Sequence, residues 1–252
     1  MQLRLIQDPA RVANRVADHG AKVLRSALAR HDRATLVAAT GMSQLAMLGQ
    51  LATLRDVEWR RVTVFHLDEY IGLPGTHRAS FRHYLRERFL ERLPQAPEFI
   101  GIRGDASDLA AEIARLNALL GERRVDLCFA GVGDNAHLAF NDPPADFMTD
   151  APYIEVRLDD TSRRQQAGQG WFTHVDEVPR RAISMSIRQI LRSDCLLLTV
   201  TGARKARALR GMVEGPVDPD CPASAVQNHN GCWVYIDAAA AGELSAMPPV
   251  AE

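Results

Sequence analysis

Cysteine is scarce, and its spacing fits none of its common structural uses. Cys128, Cys195, Cys221 and Cys232 include no C-x-x-C pair. No His or Cys spacing matches a zinc site, so no essential metal is expected. Cys128 and Cys195 stand inside apolar runs, where cysteine behaves as a small hydrophobe. Free thiols in a cytoplasmic protein are therefore expected rather than a disulfide framework. The amino end, MQLRLIQDPARVANRVADHG, is amphipathic, has no uninterrupted apolar segment and reads as neither a signal peptide nor a membrane span. Charge of either sign is lacking in the balance: 30 Lys and Arg against 31 Asp and Glu leave −1. The arginine pairs, such as Arg60-Arg61 and Arg123-Arg124, never join into a long basic run. No nucleic-acid or membrane partner is expected. There is no repeat, low-complexity segment or obvious linker, so residues 1–252 read as a single domain with a sizeable core.

Strand-like and helix-like patterns alternate through the chain. Strands are expected at 34–39, 61–67, 125–130, 153–158, 182–186, 194–199 and 232–236. Helices are expected from Ser43 to about 54, after Ser80, over 108–120, over about 203–213 and over 237–244. Such alternation implies an α/β fold of three layers, α/β/α, around a mostly parallel central sheet.

Polar groups gather where the strands end, at 40–44, 66–70, 131–142 and 201–205. In a parallel sheet these carboxyl ends share one edge and converge on one pocket. Thr40-Gly41-Met42-Ser43, between a strand and a helix, offers backbone N–H groups and hydroxyls to a phosphate, although Ser43 reads equally well as a plain helix cap. Lys205 opens a helix after the Gly202 turn, where it faces an anion or simply solvent. Asp68 and Glu69 follow a strand, where a carboxylate serves as general base or turn former. Alternation puts His66 on the side of Asp68, as a supporting partner or merely packed. His137 with Asn135 and Asp142 could form a proton relay, or a loop held by Asn and Asp hydrogen bonds. Residues 131–136 also match the dinucleotide fingerprint G-x-G-x-x-A. That motif needs a long helix behind it, and Asn141-Asp142-Pro143-Pro144 ends any helix too early.

In this order, TGMS (40–43), FHLDEYIGLP (65–74), GVGDNAHLAFNDPP (131–144), TGARKARAL (201–209) and VEGPV (213–217) resemble the glucosamine-6-phosphate deaminase/isomerase family. That family lies within the sugar-phosphate isomerase and 6-phosphogluconolactonase superfamily. The resemblance spans roughly residues 34–240 and implies a modified Rossmann-like fold. It implies conversion of glucosamine 6-phosphate and water to fructose 6-phosphate and ammonia, with no metal and no cofactor. By motif position Asp68 moves the proton between C2 and C1, and His137 assists ring opening. Asp142 and Asn135 stand beside His137. Thr40, Gly41, Met42, Ser43 and Lys205 bind phosphate, and Glu69, Gly133, Asp134 and Ala136 surround the sugar.

The departures from the family pattern are specific. Asn135-Ala136-His137 stands for the family's Asp-Gly-His, and Asp142 for its glutamate. The family's phosphate-binding arginine after Asp160-Thr161 is missing from SRRQQAGQGWF (162–172), where Arg163 and Arg164 are the available substitutes. Tyr153 and Glu155 replace the basic residues of regulated hexameric members, so allosteric activation is expected to be absent. A homo-oligomer stays open. Two readings compete with the deaminase. A 6-phosphogluconolactonase-type hydrolase usually carries arginine where Tyr70 stands, and a non-catalytic sugar-phosphate sensor would explain Asn135.

Overall fold

The computed structural model describes residues 1–250, and of Met42 and Ser43 only the backbone. Its centre is a sheet of β1 (Gln2–Leu5), β10 (Cys232–Ile236), β9 (Cys195–Val200), β6 (Leu127–Gly131), β2 (Ala34–Ala38), β3 (Val62–His66) and β5 (Glu98–Phe99), in that order. Every pairing in it is parallel. Every residue of β2, β3 and β9 is buried, as strands covered on both faces require. The helices that cover it include α1 (Pro9–Arg30), α2 (Met42–Thr53), α3 (Phe81–Arg88), α4 (Leu109–Gly121) and, after β9, α7 (Ala206–Glu214), with α5 (Asp160–Gly168) and α6 (Ile187–Leu191) in the segment between β6 and β9.

β1, α1 and β5 were not foreseen from the sequence. In α1 the buried positions Val12, Val16, Gly20, Leu24 and Leu28 recur every four residues, and Asp8 caps the start by accepting from the Ala10 N–H. The cap expected at Ser43 is also corrected. Helix α2 begins at Met42 with Gly41 at the cap position, so Ser43 lies inside the first turn. The Ser43 and Met42 side chains lie outside the described residues.

A second sheet departs further from expectation. Asp68–Tyr70 is not a turn but a short strand, β4, paired antiparallel with β8 (Arg181–Met185), which pairs in turn with β7 (Tyr153–Arg157). A single residue separates β3 from β4. Leu67 donates its N–H to the Ala38 carbonyl in the large sheet (3.1 Å) and accepts from the Met185 N–H in the small one (2.7 Å). The Tyr153 hydroxyl donates to the His66 carbonyl (2.7 Å), a further tie between the sheets. A separate aromatic core lies under the small sheet, with Tyr70 at its centre. Its ring centroid is 5.0 Å from Phe81, 5.3 Å from Phe140 and 5.6 Å from Phe172. Among the described residues, no helix is long and apolar enough to cross a membrane.

Candidate active site

β6 and β2 are neighbours in the sheet, and the chain runs from them toward opposite edges. Open α/β sheets form their binding crevice at such a reversal, outside the carboxyl ends of the strands. A cleft of about 630 Å³ opens there. It gathers Thr40 and Gly41 after β2, Asp68 beyond β3, Gly133, Asp134 and His137 after β6, and Lys205 beyond β9. A larger groove of about 1050 Å³ lies between α1 and residues of β1, β10 and β9, among them Arg4, Cys195, Trp233 and Tyr235. It holds none of the strand-end groups, so the smaller cleft is the candidate site.

Asp68 is 7% exposed, and its carboxylate makes no hydrogen bond among the described residues. Burial, reinforced by the neighbouring Glu69 charge, pushes its carboxyl up to about 8. An acid poised there can take and return a proton near neutral pH. Glu69, expected beside the sugar, serves a different end. It is 1% exposed and lies outside the cleft lining. Its carboxylate accepts from the Ser80 hydroxyl (2.7 Å) and from the N–H groups of Tyr70 (3.0 Å), Phe81 (3.1 Å) and Arg82 (2.8 Å). Three of those donors, Ser80, Phe81 and Arg82, lie at the start of α3, so Glu69 ties β4 to that helix. His66 does not support Asp68 either. Its Nε2 accepts from the Ile102 N–H (2.8 Å), and burial lowers its pKa to about 3. It is a packed, neutral core histidine.

His137 sits on a tightly curled loop. The Gly133 N–H donates to the His137 carbonyl (3.0 Å), and the Ala136 N–H donates back to the Gly133 carbonyl (3.0 Å). Ala136 and Ala139 adopt left-handed φ values of 66° and 52°. No helix follows Gly133 before Asp142, so the dinucleotide fingerprint has no structural counterpart. Asn141 pins the loop through its side-chain amide to the Leu138 and Met185 carbonyls, both at 2.8 Å.

The relay around His137 is assembled, with two members that the sequence reading missed. His137 Nδ1 lies 3.1 Å from Asp142 Oδ1 and 2.8 Å from the Ser162 hydroxyl. The Ser162 hydroxyl donates in turn to Asp142 Oδ1. This network assigns the imidazole proton to Nδ1 and leaves Nε2 as the free nitrogen. Asn135 donates to Asp142 Oδ1 (3.0 Å) and Asp159 Oδ2 (3.1 Å), and the Asp159 N–H donates to Asp142 Oδ2 (2.9 Å). Burial alone would raise the Asp142 pKa, but hydrogen bonding and charge from His137, then Ser162 and Asp159, hold it below the usual carboxylate range. Asn135 and Asp142 therefore stand behind the histidine and do not line the cleft, and neither does Ala136. Ser162 sits in the first turn of α5, where Asp159 caps the helix by accepting from its N–H (2.5 Å). An Asp-x-x-Ser cap just before a polar helix was the available signal.

Neither expected substitute arginine reaches the cleft. Arg163 is buried, donating to the Val175 (2.7 Å) and Val178 (3.3 Å) carbonyls, and Arg164 is exposed beside Thr161. Gln165 and Gln169 of that segment line the cleft instead, as does Arg204. Lys205 Nζ and Arg204 Nη2 each lie 2.5 Å from one oxygen of Asp134. The Gly202 N–H, a potential phosphate donor, is already held by the Asp237 carboxylate (3.0 Å).

The glucosamine-6-phosphate isomerase/6-phosphogluconolactonase family model matches residues 7–235. Glucosamine-6-phosphate deaminase of Streptococcus equi subsp. equi is 34% identical over 222 residues, covering 88% of this chain and 92% of that protein. The Enterococcus faecalis deaminase is 36% identical over 208 residues, with 82% and 86% covered. The structure of a monomeric glucosamine-6-phosphate deaminase superposes with a TM-score of 0.87 at 31% identity, covering 96% of this chain and all 100% of that one. The fold, though not the sequence, is shared with a 6-phosphogluconolactonase homologue from Neisseria gonorrhoeae, with a TM-score of 0.75 at 22% identity over 94% and 99% of the two chains. With the match running through every strand end of the cleft, the chain belongs to the glucosamine-6-phosphate isomerase/6-phosphogluconolactonase family.

Proposed function

We propose that this chain is a glucosamine-6-phosphate deaminase, converting glucosamine 6-phosphate and water to fructose 6-phosphate and ammonia. The observation that carries this reading is the buried, unpartnered Asp68 carboxylate, which opens into the same cleft as the His137 relay and Lys205. Phosphate sits at the Thr40–Gly41 and Lys205 end. His137 Nε2 faces the ring oxygen and moves the proton that opening requires, while Asp142 and Ser162 hold Nδ1. Asp68 then takes the C2 proton of the open amino sugar and returns it at C1. Water adds at C2 as ammonia leaves, which gives the ketose. The sequence relatives at 34–36% identity are deaminases, in keeping with this chemistry.

The lactonase reading loses support at Tyr70. Its ring is 1% exposed at the centre of the small-sheet core, and its hydroxyl donates to Gln166 (3.0 Å). An arginine there would bury its charge among Phe81, Phe140 and Phe172. The sensor reading loses support at Asn135, whose amide still engages the Asp142 carboxylate. The bonds between the two sheets support one domain over the whole chain. The solved deaminase relative is monomeric, and we read this chain as a cytoplasmic monomer rather than a homo-oligomer.

The test is to incubate the chelator-treated protein with glucosamine 6-phosphate and follow both products. Equal release of ammonia and fructose 6-phosphate is expected. Hydrolysis of 6-phosphogluconolactone without ammonia release from the amino sugar would overturn the reading.

A further inference from the structure

The cationic end of the cleft is occupied by the protein itself. Lys205 Nζ meets Asp134 Oδ1 and Arg204 Nη2 meets Asp134 Oδ2, so one carboxylate engages both cations, one oxygen each. Gln165 fixes that carboxylate's residue by accepting from the Asp134 N–H (2.9 Å). Lys205 and Asp134 are about one-fifth exposed, whereas Arg204 is 75% exposed. A carboxylate holding two cations presents the charge pattern that a phosphate dianion would present to them. The arginines of α5 point elsewhere, and Arg204 is the second cation lining this cleft among the described residues.

We infer that Asp134 is an internal competitor for the phosphate position, and that Arg204 is the second phosphate-binding cation of this chain. In the ligand-free protein Asp134 engages both Lys205 and Arg204 and offsets one of their two positive charges. An incoming phosphate dianion displaces it and takes both cations. A hexosamine without phosphate brings no negative charge to displace Asp134 and is rejected. The two residues thus set a threshold of ligand charge at the entrance to the site. This deepens the sugar-phosphate reading and rests on it.

Inorganic phosphate is the probe, titrated by calorimetry into the full chain, with glucosamine 6-phosphate kinetics alongside. Asp134→Asn is expected to bind phosphate about fivefold more tightly, and Arg204→Ala about fivefold more weakly, in line with partly exposed charge contacts. In kinetics both effects fall on KM, with kcat little changed. Combining the variants adds a readout that a purely structural pair would not move. With Asp134 neutral, Arg204 is no longer engaged by it, so Arg204→Ala costs more phosphate affinity than it does in the unmodified chain. Unchanged phosphate affinity in both single variants overturns the inference, as does a loss of affinity in Asp134→Asn. Absence of deamination with the affinity changes intact would instead overturn the deaminase reading and leave this inference standing.

Discussion

Gly133 and His137 stand so close that a Cβ on the glycine would lie 2.4 Å from the imidazole Nδ1. That nitrogen is the one shared with Asp142 and Ser162, so the glycine is what lets the ring reach its partners. Gly133→Ala is expected to displace the ring and lower kcat about 100-fold, the cost of misplacing a reacting group by about an ångström. Product formation on a protein of unchanged circular dichroism checks this. Full activity in the variant would remove His137 Nδ1 from the relay.

The position of Asp68 predicts a pH profile. Only its ionised form accepts the C2 proton, and burial raises its pKa to about 8. The free-enzyme parameter kcat/KM should therefore rise with pH toward about 8, dropping about tenfold for each unit below it. Stability moves the opposite way. The folded protein keeps a proton that the unfolded chain releases at about pH 4, so this contribution is complete below about 4 and lost as pH rises through about 8. Asp68→Asn should abolish isomerisation. Its Tm relative to the unmodified protein should increase between pH 5 and pH 9, as thermal melts across that range would show.

Asp142 is predicted to matter through His137 rather than through substrate. Asp142→Asn withdraws the charge behind the imidazole and should lower kcat about 100-fold, within the range for a proton-transfer group, while KM stays near its original value. Asp142→Glu restores the carboxylate that resembles the family's own. Its added methylene has to fit where Oδ1 already meets Asn135, Ser162 and His137, so activity should still fall about tenfold. Steady-state kinetics of both variants tests this, and a fully active glutamate variant would show that the pocket is looser than its contacts.

Ala136 carries a φ of 66° without being glycine. Relief of that conformation should exceed the extra freedom gained by the unfolded chain, so Ala136→Gly should stabilise the protein by about 0.5 kcal/mol. A higher denaturant midpoint with an unchanged slope is the expected result. A lower midpoint would mean that the methyl, buried in the core, outweighs the strain.

The large sheet was legible because β2, β3, β6 and β9 are short apolar runs that end in turn residues. The segment of α1 was seen as amphipathic but not as a covering helix, since its buried stripe relies on Ala and Gly as much as on large apolar residues. Two strands of the small sheet, β7 and β8, stood where strands were expected at 153–158 and 182–186, but their pairing with β4 in a separate antiparallel sheet was not legible, because three residues, DEY, carry no periodicity and read as the polar end of β3. Asp68, His137, Asp142 and Lys205 stood out as polar groups after buried strands. Ser162 and Arg204 did not. A serine in a polar helix looks like ordinary surface until the fold buries it against His137, and Arg204 stays exposed even where it lines the cleft. Arg163 showed the converse, a plausible phosphate ligand that turns out to anchor the backbone between residues 175 and 178.

The lone residue between β3 and β4 has a consequence for how the molecule tolerates deformation. Leu67 is hydrogen-bonded to Ala38 on one side and Met185 on the other, so it is stitched into both sheets at once. Asp68 is the next residue along. Any shear of the small sheet against the large one passes through that stitch and reaches the carboxylate proposed to move the proton before it reaches the bulk of either core. Removing only the Tyr153 hydroxyl, in Tyr153→Phe, would accordingly lower turnover by more than its loss of stability accounts for, whereas truncating the fully buried Tyr153 or Met185 would lower the melting temperature as well.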